Sequence, residues 1–175
     1  LAAQLRRVEA AGIHPTHADS HQHMHVLPGV IDIALDLSRA AEIPAMRAPH
    51  APLFAGNFGG VGQLIGRAGL SVLAHRAAAK AKARGIRVPD HFAGIVAGEA
   101  VDTATLTAIA SGLREGVTEV MLHPGTSNAV LVRDCLWNHD FEAELAAVCA
   151  PAVRDALAAA GAEVVNFRTM INSAE

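Results

Sequence analysis

Residues 15–28 of the chain read PTHADSHQHMHVLP, a short extended stretch that runs directly into three closely spaced histidines. In an extended backbone His21, His23 and His25 all point to one side, and in a helix His21 and His25 share a face. In either conformation two imidazoles can converge, and imidazole is a good ligand for zinc and other divalent metals. Asp19 is either a further ligand or the acceptor that fixes a ring tautomer. The segment therefore predicts a metal-binding or catalytic site.

Helical and strand-like patterns alternate on both sides of this segment, which is typical of β-α units around a mostly parallel sheet. We predict strands near residues 16–20, 43–46, 91–95, 117–122 and 163–167. Five units predict an α/β fold, either a fragment of a closed (β/α) barrel or a modest open sheet, and periodicity does not choose between them. In both architectures the carboxyl ends of the strands converge on the face that binds ligands.

The helices between these strands have recognisable ends. Pro28 begins a helix whose predicted buried face carries apolar residues at 30, 33, 34, 37 and 41, and Gly85 ends a long Ala/Lys/Arg helix. Asp102 is placed to cap the next helix, which has one apolar stripe. Two further helices are predicted from about Phe141 and from Pro151.

Composition limits the class of protein. At 175 residues the chain is long enough for one domain, and we expect residues 1–175 to form a single one. No run of about 18 apolar residues could span a bilayer. A net charge of −3 with 3% aromatic residues suggests neither a phosphate-binding surface nor base-stacking platforms, so nucleic acid is an unexpected partner. The sequence also lacks a Walker loop, a nucleophile elbow and a dinucleotide fingerprint.

The two cysteines and the beginning of the chain indicate its setting. Cys135 and Cys149 fit neither a Cys-x-x-Cys site nor a disulfide framework, so we expect a reduced, cytoplasmic protein. The chain begins with Leu1 inside a predicted helix and shows no signal pattern, which predicts that further residues precede it. A homodimer is the candidate assembly.

Other candidate site residues stand where predicted strands end. His123 follows an apolar strand and could donate a proton to a leaving amine or stabilise an oxyanion, or it could be bonded to the backbone. Arg47 could orient a carboxylate or bind substrate, with a surface arginine as the alternative. His91 and Phe92 are candidates for lining a substrate pocket or for ordinary packing. We interpret the remaining histidines as structural or surface residues: His14, His17, His50, His75 and His139.

The motifs resemble the YdjC-like carbohydrate deacetylases, the family that includes chitooligosaccharide deacetylase and hopanoid-biosynthesis-associated members. Residues 15–28 are similar to the family's central signature. Four further elements follow in the family's order: Arg47 with Pro49, residues 90–94 (DHFAG), residues 118–125 (TEVMLHPG), and the stretch from Glu144 to Phe167. The resemblance covers nearly the whole chain.

This resemblance implies a (β/α)-barrel-like fold and a metal-activated water that removes an N-acetyl group from an amino sugar. His21 matches the family's metal-binding histidine, with Asp19 as its companion and Mg or Zn as the divalent metal. His123 matches the histidine near the reacting acetyl group. His25 is expected near the metal or substrate, with His25, His123 and Arg47 in catalytic roles and His23 as a substrate contact.

One part of the family pattern is absent from the 175 residues. Family members begin with an Asn-Ala-Asp-Asp-Phe-Gly-like strand and a later Gly-x-His segment, which supply a catalytic aspartate and another metal histidine. We therefore expect the chain to be the C-terminal portion of such a protein. Two alternatives stay open: another metal-dependent amide or phosphoester hydrolase, and a non-catalytic fragment that binds metal or carbohydrate.

Overall fold

The computed structural model describes residues 1–50, 61–95 and 100–172. Within them the strands are short and the helices dominate. The helices are α1 (Ala2–Ala10), α2 (Val30–Ala40), α3 (Val61–Ala83), α4 (Thr103–Ser111), α5 (Asn128–Cys135), α6 (Phe141–Cys149), α7 (Pro151–Ala159) and α8 (Phe167–Asn172). The strands are β1 (His17–Ala18), β2 (Ala45–Met46), β3 (His91–Ala93) and β4 (Thr118–Val120). His21–Val26 forms a kinked 3₁₀ helix, which we call the histidine segment.

The chain forms two compact units. The first unit contains Leu1–His50, Arg67–Asp90 and the segment from Val165 onward, and the second contains His91–Val164 with the beginning of α3. Within the described part of the chain, no helix combines the length and the apolar character that crossing a bilayer requires.

In the first unit, β1 and β2 pair in parallel, with His17 opposite Ala45 and Ala18 opposite Met46. A parallel bridge from Ala45 to Arg87 extends the pairing. The Arg47 amide donates to the Ala18 carbonyl at 3.0 Å. The residues that follow β1 and β2 therefore leave the sheet side by side, which places Asp19 next to Arg47.

The core of the first unit lies under α2 and α3, around Leu35, Met46 and Ala81. The predicted buried face of α2 was wrong, because the helix buries Ile31, Leu35 and Ser38 while Ile33 is 55% exposed. Apolar residues occur all round this helix, so periodicity alone left its rotation undecided. Charge pairing fixes the outer face: Asp32 binds Lys80 at 2.7 Å and Arg84 at 3.0 Å.

In the second unit, β3 and β4 pair in parallel with Phe92 opposite Glu119, and helices α4, α6 and α7 pack together. Their core contains Val101, Leu106, Ala147 and Val153. The Asp102 cap is confirmed, because its carboxylate accepts the Thr105 amide at 2.8 Å. Gly94 has a φ of +94°, and a side chain there would meet the backbone of Met121.

The structure confirms the parallel α/β pairing but does not show a closed barrel, since the described strands form two separate two-stranded sheets. The strand predicted at residues 163–167 was also wrong. Residues 163–166 have no regular structure, and α8 begins at Phe167. Val164 is 79% exposed, so this apolar stretch lacks the burial that would favour strand pairing. Most of the Gly-rich stretch at 56–62 lies outside the described residues.

Candidate metal centre and histidine segment

The histidine segment is neither a regular strand nor a regular helix. Gln22 and His23 adopt positive φ values of 51° and 57°, in the left-handed region that non-glycine residues seldom occupy. The kink buries His23 and His25 and leaves His21 exposed. The rings of His23 and His25 lie edge to face, with centroids 6.5 Å apart. The three histidines therefore have different environments despite their even spacing.

His25 is hydrogen-bonded through both ring nitrogens. Its Nε2 donates to the Arg47 carbonyl oxygen at 3.0 Å, which requires the proton on Nε2 because a carbonyl only accepts. In the neutral ring, Nδ1 then accepts the hydroxyl proton of Ser20 at 2.8 Å. The same Ser20 oxygen accepts the His25 backbone N–H at 2.8 Å. His25 thus connects the histidine segment to the residue that follows β2.

Burial favours the neutral form of His25. Desolvation lowers the pKa of His25 from its ordinary value of 6.5, while the Arg47 carbonyl and the Asp19 carboxylate act in the opposite direction. A neutral ring that donates from Nε2 and accepts at Nδ1 fits the contacts of His25 with Arg47 and Ser20. The geometry and the direction of the pKa shift therefore agree.

Asp19 and Arg47 form an ion pair beside this histidine, with Nη1 and Oδ2 2.8 Å apart. Arg47 is therefore paired with a carboxylate, one of the two roles that its position at a strand end predicts. The pairing also bears on the predicted metal ligands. The Asp19 carboxylate already faces a cation, and Asp19 and His21 are two donors, whereas zinc sites in proteins use three or four protein ligands.

His91 and Phe92 lie on β3 in the second unit. Phe92 is 3% exposed and belongs to the interior. His91 donates from Nε2 to the Glu115 carbonyl at 3.0 Å, and its Nδ1 lies 2.9 Å from Nη2 of Arg114. These contacts of His91 anchor the loop before β4.

His123 lies just beyond β4 and is held through its backbone by a buried carboxylate. Its N–H donates to Oε2 of Glu144, a residue of α6 that is 1% exposed. The other carboxylate oxygen, Oε1, accepts the Val101 amide at 3.0 Å and lies 2.9 Å from Nε2 of His139. One carboxylate thus connects β4, the segment before α4 and the loop before α6.

His139 is 7% exposed, so of the two predicted alternatives, a structural or a surface residue, the surface alternative does not fit. Trp137 stacks on its ring at a centroid distance of 4.0 Å, and Phe141 meets it edge to face at 4.9 Å. The His123 ring lies edge-on to both Trp137 and His139, at 5.0 and 5.6 Å. These aromatic contacts fix the orientation of the His139 ring and bring His123 beside it.

His123, His139 and Glu144 can together hold a metal ion. Each offers one ligand atom, and these atoms all lie within 4.8 Å of one another. Across residues 1–50, 61–95 and 100–172 this is the one group of three or more histidine, cysteine or acidic residues with that geometry, and Asp19 and His21 are not in it. His21 belongs to the first unit and His123 to the second, so their predicted convergence on one ion stays a prediction.

The sequence offered only weak signals for His139 and Glu144. His139 stands alone between Asn138 and Asp140, in a stretch that predicts an exposed loop. Glu144 is one of two glutamates near the start of α6, and only the helix phase separates the buried Glu144 from the exposed Glu142. An acidic residue in phase with the apolar positions Phe141 and Ala147 is the signal that could have identified it.

Parallel strand pairs followed by helices, with histidines just beyond the ends of β1 and β4, define an α/β protein. The family model described as "YdjC-like protein" matches residues 1–159. The chain belongs to the YdjC-like family.

Curated relatives named carbohydrate deacetylase are similar to part of the chain. The protein of Brevibacillus brevis is 46% identical over 44 residues, which are 25% of this chain and 18% of that protein. The mouse protein is 46% identical over 50 residues, 28% of this chain and 16% of that protein. The matches therefore span less than a fifth of the length of these relatives.

A solved structure shows the same fold over more of the chain. It is described as a cellobiose-phosphate cleavage protein of Enterococcus faecalis. The TM-score is 0.62 at 20% sequence identity, and the match covers 96% of this chain and 57% of that one. At this identity the likeness establishes the fold alone.

Proposed function

We propose that the chain is part of a metal-dependent carbohydrate deacetylase that hydrolyses the N-acetyl group of an amino sugar or of a glycolipid headgroup. The observation that carries the proposal is the Asp-Ser-His-x-His-x-His sequence directly after β1, in a chain of the YdjC-like family. The name carbohydrate deacetylase on the curated relatives supports the same reaction. As a finer assignment, we propose that the substrate belongs to hopanoid biosynthesis.

The cofactor that we propose is a divalent metal, Mg or Zn. When bound, such an ion lowers the pKa of water toward neutrality, which makes amide hydrolysis feasible. Asp19 and His21 are the ligands that the family resemblance implies, and the exposed position of His21 leaves its ring accessible. The second unit adds a group of donors whose chemistry suits a metal, formed by His123, His139 and Glu144.

The chain's own residues would hold and orient the substrate. We propose that the Asp19 carboxylate orients the side chain of Arg47, while the His25 ring binds the backbone carbonyl of Arg47. His25 would thus act by positioning Arg47. His123 would act at the reacting group, supported by its place beyond β4. His23, His91 and Phe92 are proposed as contributors to the substrate pocket, and among them His91 is half-buried.

The experiment is an acetate-release assay on the protein expressed from its complete open reading frame. The panel contains an N-acetylated chitooligosaccharide, a glycolipid with an N-acetylated amino-sugar headgroup, a simple acetamide and a sugar phosphoester. We expect acetate from one of the two sugars, loss of that activity with a chelator, and its return with Zn or Mg. Release of phosphate alone would identify a phosphoester hydrolase, and sugar binding without turnover would identify a binding protein.

The matched variants are His21→Ala and His14→Ala. Both remove an exposed histidine of the first unit, but only His21 lies in the histidine segment. We expect a loss of at least a hundredfold in kcat/KM for His21→Ala, the scale of removing a metal ligand or its close support. His14→Ala should leave the rate unchanged, and equal effects of the two would contradict the assignment.

A further inference from the structure

We propose that His123, His139 and Glu144 form a divalent-cation site within the second unit, and that its preferred ion is of the zinc type. The inference extends the proposed function by naming ligands in this unit. The catalytic role of the ion rests on the proposed function, whereas the binding of the ion does not. No residue of the histidine segment is required.

The donor set is the first argument. Two imidazoles and one carboxylate are the ligands of many catalytic zinc sites. Magnesium prefers oxygen ligands in octahedral geometry and retains several waters, so a set with two nitrogen donors disfavours it. The chemistry of His123, His139 and Glu144 thus selects zinc from the two metals that the family resemblance allows.

The distances need only a small adjustment. Zinc ligands lie about 2.0–2.2 Å from the ion, which puts neighbouring ligand atoms roughly 3–3.5 Å apart. Nε2 of His139 and Oε1 of Glu144 are already 2.9 Å apart and share a proton in the metal-free form. The half-buried His123 ring supplies the third ligand atom, which lies within 4.8 Å of the other two.

The surroundings of the ligands are those of a prepared site. The amides of Val101 and His123 donate to the two oxygens of Glu144 and fix the carboxylate, as contacts behind a ligating group do. Trp137 and Phe141 hold the His139 ring in place. Nδ1 of His139 is buried and has no hydrogen-bond partner among the described residues, so it can take the proton that Nε2 releases when zinc binds.

Titration calorimetry with zinc chloride alone tests the site. Cys135 and Cys149 are exposed free thiols, a ligand type that suits zinc, so every protein carries the substitutions Cys135→Ser and Cys149→Ser. In that background we expect His139→Gln to bind one zinc equivalent fewer than its parent, and His14→Gln to bind the same number. In the parent protein, magnesium chloride at the same concentration should not displace the zinc equivalent that is absent from His139→Gln.

A second variant distinguishes the loss of a ligand from the loss of folding. His139→Phe retains an aromatic ring between Trp137 and Phe141 while removing the ligand, and circular dichroism without zinc establishes that each variant is folded. Full zinc stoichiometry and affinity in a folded His139→Gln or His139→Phe would overturn the proposal. So would a parent protein that binds a single zinc equivalent, if that equivalent disappears in His21→Ala and persists in both His139 variants. Acetate release does not enter this test, so the deacetylase proposal can fail while the zinc site stands, and the reverse.

Discussion

The backbone N–H of His123 donates to the side-chain carboxylate of Glu144, 21 residues further along the chain. The same carboxylate receives the Val101 amide and lies beside His139. A buried carboxylate without such partners would be costly, and here N–H donors from three segments surround it. Glu144 therefore determines where the residue after β4 lies.

Replacing Glu144 by Gln should destabilise the protein strongly. The NH₂ group of glutamine would face N–H donors that now bind the carboxylate and would leave them without an acceptor. Buried polar groups without a hydrogen-bond partner cost about 1–3 kcal/mol each. We expect the free energy of unfolding in urea to fall by about 2–3 kcal/mol. Glu142→Gln is the matched control, because Glu142 is exposed and accepts one amide, that of Asn128.

Hydrogen exchange gives a local check on the same variant. The His123 amide should exchange faster in Glu144→Gln than in the parent protein, after correction for the change in global stability. Equal protection of this amide in the two proteins would show that Glu144 does not hold the His123 backbone.

Gly125 should not tolerate a side chain. A Cβ at this position would meet the Leu131 side chain and would lie 3.0 Å from Cβ of Phe141, the first residue of α6. We expect Gly125→Ala to lower the free energy of unfolding by about 1–3 kcal/mol, the usual cost of overpacking. Gly69→Ala, in α3 with open space around the added Cβ, should leave stability unchanged or raise it by up to about 1 kcal/mol.

Stability should depend on pH through His25. Because burial lowers the pKa of His25 in the folded protein below 6.5, the unfolded chain binds this proton more readily. The contribution of His25 is thus fully present above about pH 6.5 and is lost as pH falls through the lower pKa of the folded state. Glutamine at position 25 does not titrate. The difference in the free energy of unfolding between the parent and His25→Gln should therefore decrease as the pH falls from about 8 to about 5. A gap that stays constant would contradict a buried, neutral His25.

The Asp19–Arg47 ion pair should contribute little to stability. Arg47 is 16% exposed but Asp19 is 41% exposed, so water screens the pair. A double-mutant cycle with Asp19→Asn and Arg47→Gln should give a coupling free energy of about 0.2–1 kcal/mol. A coupling above about 2 kcal/mol would mean that the pair is structural and would weaken the case for Asp19 as a metal ligand.

Several helix ends could be predicted because their causes are local. Asp102 caps α4 with its own carboxylate, and Pro151 begins α7, where its fixed φ and missing N–H are tolerated. The face of α2 could not be predicted in the same way. Its rotation depends on whether the side of Ile31 or the side of Ile33 meets α3, and both sides are apolar.

The sequence by itself determined the residue types, the alternation of helices and strands, and the family membership that the histidine-rich stretch carries. Only the tertiary structure decided which histidines are buried and what each contacts. His25 owes its environment to the carbonyl of Arg47, 22 residues away and just beyond β2. His139 binds the nearby Glu144, but that carboxylate is itself held by the amides of Val101 and His123 from other segments. Such pairings depend on how distant segments pack, which hydrophobic periodicity and local propensity do not encode.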